Sequence, residues 1–164
     1  MCRTLMASRL GSQGVGAGPT TGAWGPAGRQ LPRGGVLRGS KYDLPVALEG
    51  ASVVSRQAEW GDLSVTLETF AAGTDPSALF KGLPDDRCQC PHWGYVVRGR
   101  FRVRYGGREE IVTAGDAYHI PPGHVSIYEE DTDVVEFSPK REYQTMLEAV
   151  AGNWAAVEAA RAAE

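Results

Sequence analysis

Long apolar runs are missing from this chain. No stretch approaches the roughly 18 consecutive apolar residues that a membrane-crossing helix needs, which argues against a transmembrane role. Arg3 is not followed by the apolar segment of about 7–15 residues that a secretory signal carries. Cysteine is scarce, with three in 164 residues. Two of these, Cys88 and Cys90, lie one residue apart, which does not make a disulfide framework. A reducing, cytoplasmic location is therefore expected, with metal or thiol chemistry as a use for Cys88 and Cys90. Excess positive charge is missing too. The net charge is −3, and the body is more acidic than this figure suggests. Residues 1–40 hold five arginines and no acid, leaving 12 basic and 20 acidic groups for the rest. Phosphate backbones need a basic surface, so nucleic acid is not expected as a partner.

What is present suits one domain large enough to bury a core without cross-links. Hydrophobic residues make up 42% and charged residues 23%, an ordinary globular balance. Ten of the 21 glycines fall within residues 1–40, with Pro19, Pro26 and Pro32 and no helical or strand period. Little apolar surface there offsets ordering entropy, so the expectation is a flexible tail, or a start codon assigned too far upstream.

From residue 41 the pattern becomes that of short strands. Residues 44–48 suit an edge segment, and 51–60 and 63–70 read as a hairpin about Gly61-Asp62. In the second of these, Leu63, Val65 and Leu67 are expected to face the core, with Ser64, Thr66 and Glu68 facing out. Residues 71–87 form a long connection punctuated by Gly73, Pro76, Gly82 and Pro84, a length that fits a lid over a pocket. Further strands are expected at 88–99, 100–105, 109–113 and 126–128, at 132–137, and briefly before the Pro121-Pro122-Gly123 corner. Arg100, Arg102 and Arg104 alternate with Phe101, Val103 and Tyr105. Near Glu109 and Glu110 they suit a charge-paired face, with an anion site as the alternative. Ser138 and Pro139 read as the cap and first residue of a helix. Tyr143, Met146, Leu147 and Val150 recur at helical spacing. Gly152 reads as its stop, with residues 154–163 as a second helix or frayed tail. The expected class is all-β, a sandwich or barrel with few exposed edges.

Donor residues concentrate at 88–92. In an extended chain Cys88, Cys90 and His92 share one face, and thiolate with imidazole suits zinc or iron. A straight strand rises about 3.3 Å per residue, which would put positions 88 and 92 roughly 13 Å apart. A shared site therefore needs a bend, for which Pro91 is the candidate. The rigid corner at 121–123 constrains where His124 points. The structural alternative is a pair of packed thiols and a hydrogen-bonded core histidine. Glu136, Tyr95 and Tyr118 are the candidates for acid–base work. Glu136 interrupts an apolar run, which an outward-facing acid would also explain. His119 is expected to point elsewhere, and Lys81 to be solvated or to meet an anionic ligand group.

The stretches 88–99 and 115–124 together resemble the signature of the cupin superfamily. Its first motif has two histidines one residue apart, a glutamate four or five later, then six residues and a glycine. Aligned on Gly99, His92 stands at the glutamate, Cys88 at the second histidine and Asp86 at the first. The second motif is matched at Gly115, Pro121 and Gly123, but Ser126 occupies its histidine position and His124 is the nearest imidazole. The resemblance covers roughly residues 45–139. It implies a single cupin-type jelly-roll β-barrel over 41–139, behind the tail at 1–40 and ahead of one or two helices in 140–164. It further implies a divalent metal, zinc favoured over iron, on a substitute set of His92, His124, Cys88 and Cys90. A small organic ligand in the barrel and a homodimer, formed through an outer sheet face or an exchanged N-terminal strand, complete the expectation. Cupins include dioxygenases, isomerases, decarboxylases and cyclases as well as proteins that bind without turnover, so both classes stay open.

Overall fold

A computed structural model describes residues 37–161. The tail expected at 1–40 lies outside the described residues except for its last four, which form no helix or strand. Nine strands and one helix follow: β1 Val46–Gly50, β2 Val53–Trp60, β3 Leu63–Phe70, β4 His92–Arg98, β5 Arg100–Tyr105, β6 Arg108–Thr113, β7 Ala117–Ile120, β8 Val125–Tyr128, β9 Thr132–Pro139 and α1 Lys140–Arg161. They form a six-stranded sheet, β1-β2-β3-β9-β4-β7, and a three-stranded sheet, β6-β5-β8, with antiparallel neighbours. The fold is thus mostly β with one C-terminal helix.

The sheets meet over a core of Val96, Phe101, Val103, Ile120, Tyr128 and Val134, drawn from β4, β5, β7, β8 and β9. Phe101 and Val103 are buried as the alternation of β5 requires, while the arginines alternating with them find partners on the other face. Arg100 meets Glu129 at 2.8 Å, Arg102 bridges Glu109 and Glu129, and Arg104 donates to Ser77 Oγ at 3.2 Å. Arg100 and Arg102 are thus charge-paired, and Arg104 is held by a hydroxyl.

Glycine is required where β4 turns directly into β5. Gly99 has φ 84°, and a Cβ there would overlap the Asp131 carbonyl and Thr132. A side chain in this left-handed conformation costs about 1–3 kcal/mol before the overlap is relieved. Gly99→Ala is expected to lower the urea midpoint correspondingly with an unchanged slope; an unaltered midpoint would mean that the turn is not under this constraint.

Two expectations need correction. On β3 both faces are covered in part: Val65 is buried as expected, at 3% exposed, but the polar residues expected to face out do not. Ser64 and Thr66 are fully buried, whereas Leu63 is 40% exposed. The register explains this: Ser55–Glu68, Gln57–Thr66–Glu136 and Ser64–Ser138 lie in cross-strand rows on the inner face, and Ser138 Oγ meets His92 Nδ1 there. That face lines a polar cavity, so its alternation is polar-in. At the other end of the chain, of the alternatives of one helix or two, the described residues form a single α-helix, but its start and its passage through Gly152 differ from expectation. Ser138 and Pro139 stay in β9, paired with Ser64 and Leu63, and α1 begins at Lys140. Gly152 does not stop it. A mid-helix glycine costs about 1 kcal/mol, and next to it Asn153 Nδ2 donates to the carbonyls of Leu79 and Lys81, tying α1 to the 71–87 connection.

Candidate metal centre

The 71–87 connection contains a 3₁₀ turn, Ser77–Phe80, which packs on α1. Together with the inner face of the six-stranded sheet they enclose a cavity of about 120 Å³. Its deep wall carries Glu68, Glu136, His92, His124, Cys88 and Ser126.

Backbone pairing brings Cys88 to His124. The Cys88 N–H donates to the His124 carbonyl at 2.9 Å, and Gly123 N–H donates to the Cys88 carbonyl at 2.7 Å, an isolated bridge across from the Pro-Pro-Gly corner. The chain then bends at Cys90 before β4 starts at His92. This bend closes the gap that a straight strand would leave. Cys88 Sγ lies 3.4 Å from His92 Nε2, and the His92 and His124 rings meet edge-on with centroids 5.2 Å apart. One donor atom from each of Cys88, His92 and His124 lies within 4.8 Å of the others.

Both histidines are oriented by hydrogen-bond partners. His124 Nδ1 donates to the Pro121 carbonyl at 2.8 Å, which leaves Nε2 with its lone pair. His92 Nδ1 faces Ser138 Oγ at 2.8 Å and Glu136 Oε2 at 3.3 Å, turning Nε2 towards Cys88. Carboxylate- or carbonyl-bound imidazoles of this kind are what metal-ligating histidines generally show. Burial pushes both imidazoles down to about 4, so they are neutral at pH 7 and available as ligands. Burial pushes the Cys88 thiol up to about 12, so a metal binding here displaces its proton. Two neutral imidazoles and one thiol fit a divalent ion of borderline softness with room for a further ligand.

Glu136 is inward. It is 7% exposed, and its Oε1 accepts from Tyr118 Oη at 2.7 Å. Gly94 makes this reach possible: it lies between Glu136 and Tyr118 in the cross-strand row, and a Cβ there would overlap the Tyr118 ring. Glu68, expected to face out, is the second acid of the floor, with Oε1 accepting from Ser55 Oγ at 2.7 Å. Burial pushes both carboxyls up, and for Glu68 the neighbouring Glu136 pushes further.

The remaining sequence candidates lie elsewhere. Tyr95 is 48% exposed on the outer face of the same sheet, away from the cavity. His119 is exposed too and stacks on Trp93, with centroids 4.5 Å apart. Cys90 is fully buried beside Tyr143, and its thiol contacts the Pro91 carbonyl at 3.4 Å; it stands outside the donor group. Asp86 is exposed, its carboxylate accepting from Gly82 N–H at 2.7 Å, and Lys81 is exposed. Of the floor, Glu68, Ser55 and Tyr143 were not singled out from sequence as site residues. The available signal was that β2, β3 and β9 each carry polar residues at period two, which pairing places on one face.

Residues 88–136 match a cupin domain family model, in agreement with the motif resemblance. No curated protein matches the chain. Similar solved structures include an RmlC-like cupin from Shewanella frigidimarina, 20% identical over 63% of this chain and 91% of that one, with a TM-score of 0.48. KdgF from a Halomonas species is 24% identical over 64% of this chain and 96% of that one, with a TM-score of 0.47. A cupin superfamily protein from Desulfitobacterium hafniense is 12% identical over 57% of this chain and 83% of that one, with a TM-score of 0.45.

Proposed function

We propose that this cupin-superfamily chain is a small metal-binding protein that acts on a small organic molecule in the cavity, its two sheets closing as a jelly-roll. One observation carries the reading: Cys88, His92 and His124 converge on the cavity with their donor atoms within 4.8 Å. Zinc is favoured over iron for one thiolate and two imidazoles. Bound there, the ion would supply Lewis-acid polarisation of a ligand oxygen or activation of a water. The chain's own residues would do the rest. Glu136, reachable from the cavity, would accept or return a proton, and Tyr118 would hold its carboxyl in place. Phe80 and α1 would limit water access.

The thiol proton gives a test. Between about pH 5 and 8 the imidazoles are neutral and the thiol protonated, so binding releases at least the Cys88 proton. Apparent zinc affinity should then rise at least about tenfold per pH unit across this window. Chelator-competition titrations at several pH values measure the slope; a pH-independent affinity would rule out the thiolate.

A second reading is a metal-free binder, in which Cys88 and His92 satisfy each other. The 3.4 Å Sγ–Nε2 contact favours it. Turnover assays after metal loading separate an enzyme from a carrier. Two free, buried thiols suit a reducing cytoplasm, and no helix among the described residues is long and apolar enough to cross a membrane. The outer face of the six-stranded sheet exposes Leu63, Trp93, Tyr95 and Phe137. We propose a second copy of the chain as its partner, and light scattering that returns a monomer would remove that proposal.

A further inference from the structure

The side chains with chemistry to offer are shut away from solvent. Cys88, His92, His124 and Glu136 are all buried, and the space beside them is only about 120 Å³. Sites that take small organic ligands span about 300–1,000 Å³. A ligand of that size enters only if part of the wall moves. The wall opposite the sheet has two pieces, residues 75–82 of the connection and the C-terminal half of α1.

Both pieces are fastened to the sheets at their ends and to each other across the mouth. The connection is pinned at Thr74, whose carbonyl accepts from Tyr128 N–H at 2.9 Å, and again where Cys88 bridges His124. Between these bridges its backbone bonds stay local among the described residues, as from Leu79 N–H to the Pro76 carbonyl at 2.8 Å. Gly82 ends the strap at φ 91°, with open space where a side chain would stand, and serves as a pivot. α1 is anchored at its start, where Lys140 N–H donates to the Asp62 carbonyl at 2.9 Å and Gln144 Nε2 to Glu59 Oε1 at 3.1 Å. Beyond that it packs more on the Ser77–Phe80 turn than on any strand. The polar tie between the two pieces is Asn153, whose Nδ2 donates to the Leu79 carbonyl at 3.0 Å and the Lys81 carbonyl at 2.9 Å. Phe80, just between those carbonyls in the chain, packs against Cys88, Cys90 and Tyr143.

We infer that residues 75–82 and the C-terminal half of α1 form a gate over the cavity, held shut by Asn153, and that the cavity fills when the two part. Segments with few bonds to the rest of a fold open locally at much lower free energy than global unfolding, and lids of this kind admit ligand and then exclude water. Parting withdraws Phe80 from Cys88 and bares the floor of the cavity. The gate rests on the proposed function only in taking the cavity as the place where a ligand goes.

The Cys88 thiol reports the opening with neither ligand nor metal present. Full-length, chelator-treated protein is labelled with methyl methanethiosulfonate at pH 8, and fragment-ion mass spectrometry separates Cys88 from Cys2 and Cys90. Asn153→Ala should speed Cys88 labelling about tenfold, the effect of losing two hydrogen bonds. Asn153 also carries the helix past Gly152, so the double variant Gly152→Ala, Asn153→Ala separates the two roles. A Cβ at position 152 meets nothing within 4 Å and favours the helix, so far-UV ellipticity should hold while labelling stays fast. In the wild type, labelling should respond little to low urea, because a local opening exposes little surface. Amides of 77–83 and 150–157 should exchange together, ahead of those of the six-stranded sheet. Unchanged labelling in Asn153→Ala, a return to the wild-type rate in the double variant, a wild-type rate with the full urea slope of global unfolding, or exchange of one segment without the other overturns the inference. Gated labelling in a protein unable to bind zinc sinks the metal reading alone. Zinc binding with ungated labelling sinks only this one.

Discussion

His92→Ala is expected to reduce zinc affinity by more than about 100-fold, beyond what loss of an outer-shell partner costs. The reasoning is geometric. His92 is the middle donor, with Nε2 3.4 Å from Cys88 Sγ and its ring edge-on to His124, while Nδ1 is anchored on Ser138 and Glu136. Removing it leaves one thiol and one imidazole, too few to hold an ion against water. Cys88→Ser and His124→Ala should do the same. Two substitutions discriminate this account from a general effect of disturbing the region. Cys90→Ser should keep the metal, because Cys90 stands outside the donor group although it is only two residues from Cys88. His119→Ala should also keep it, since that ring lies on the outer face against Trp93. If Cys90→Ser loses the metal while Cys88→Ser keeps it, the two thiols have exchanged roles and the site has been drawn around the wrong one.

Phe101→Ala is expected to destabilise the fold by about 3–5 kcal/mol. Phe101 is 1% exposed and contacts Tyr118 edge-on at 5.4 Å and Tyr128 at 5.5 Å. Its removal opens a cavity where the two sheets meet, at a point the short three-stranded sheet cannot collapse into without breaking the β5 pairings with β6 and β8. Denaturant unfolding measures the loss. The consequence should extend to the floor of the cavity. Tyr118 is held between Phe101 and Glu136, so a folded Phe101→Ala variant should show altered ligand binding in addition to lower stability. A loss below about 1 kcal/mol would mean that the two sheets do not share this core.

Much of the strand layout was legible because β-strands announce themselves locally. The alternation of Arg100–Tyr105 and the turn at Gly61 are written in a few residues. The bend that joins Cys88 to His92 was legible as a requirement, from the length of a straight strand. The facing of β3 was not. Leu63, Val65 and Leu67 look like a core face, and only the pairing with β2 and β9 shows that Ser64, Thr66 and Glu68 are the side turned inward. A cavity that holds chemistry reverses the usual polarity of the strands that line it, and period-two patterning cannot tell which side is inside. The same ambiguity concealed Glu68. It also left Tyr95 and Glu136 equally eligible, although adjacent parity separates them: position 94 shares a face with 136, and 95 does not. At the C-terminus, Gly152 read as a stop by propensity, but the hydrogen bonds of Asn153 to the connection carry the helix past it.

The most direct test of the metal centre is metal content and coordination in wild-type protein purified without added metal. Elemental analysis should return one zinc per chain, and X-ray absorption should show one sulfur at about 2.3 Å with nitrogen at about 2.0–2.1 Å. Sub-stoichiometric metal after loading with zinc, or a first shell without sulfur, would contradict a centre built on Cys88, His92 and His124.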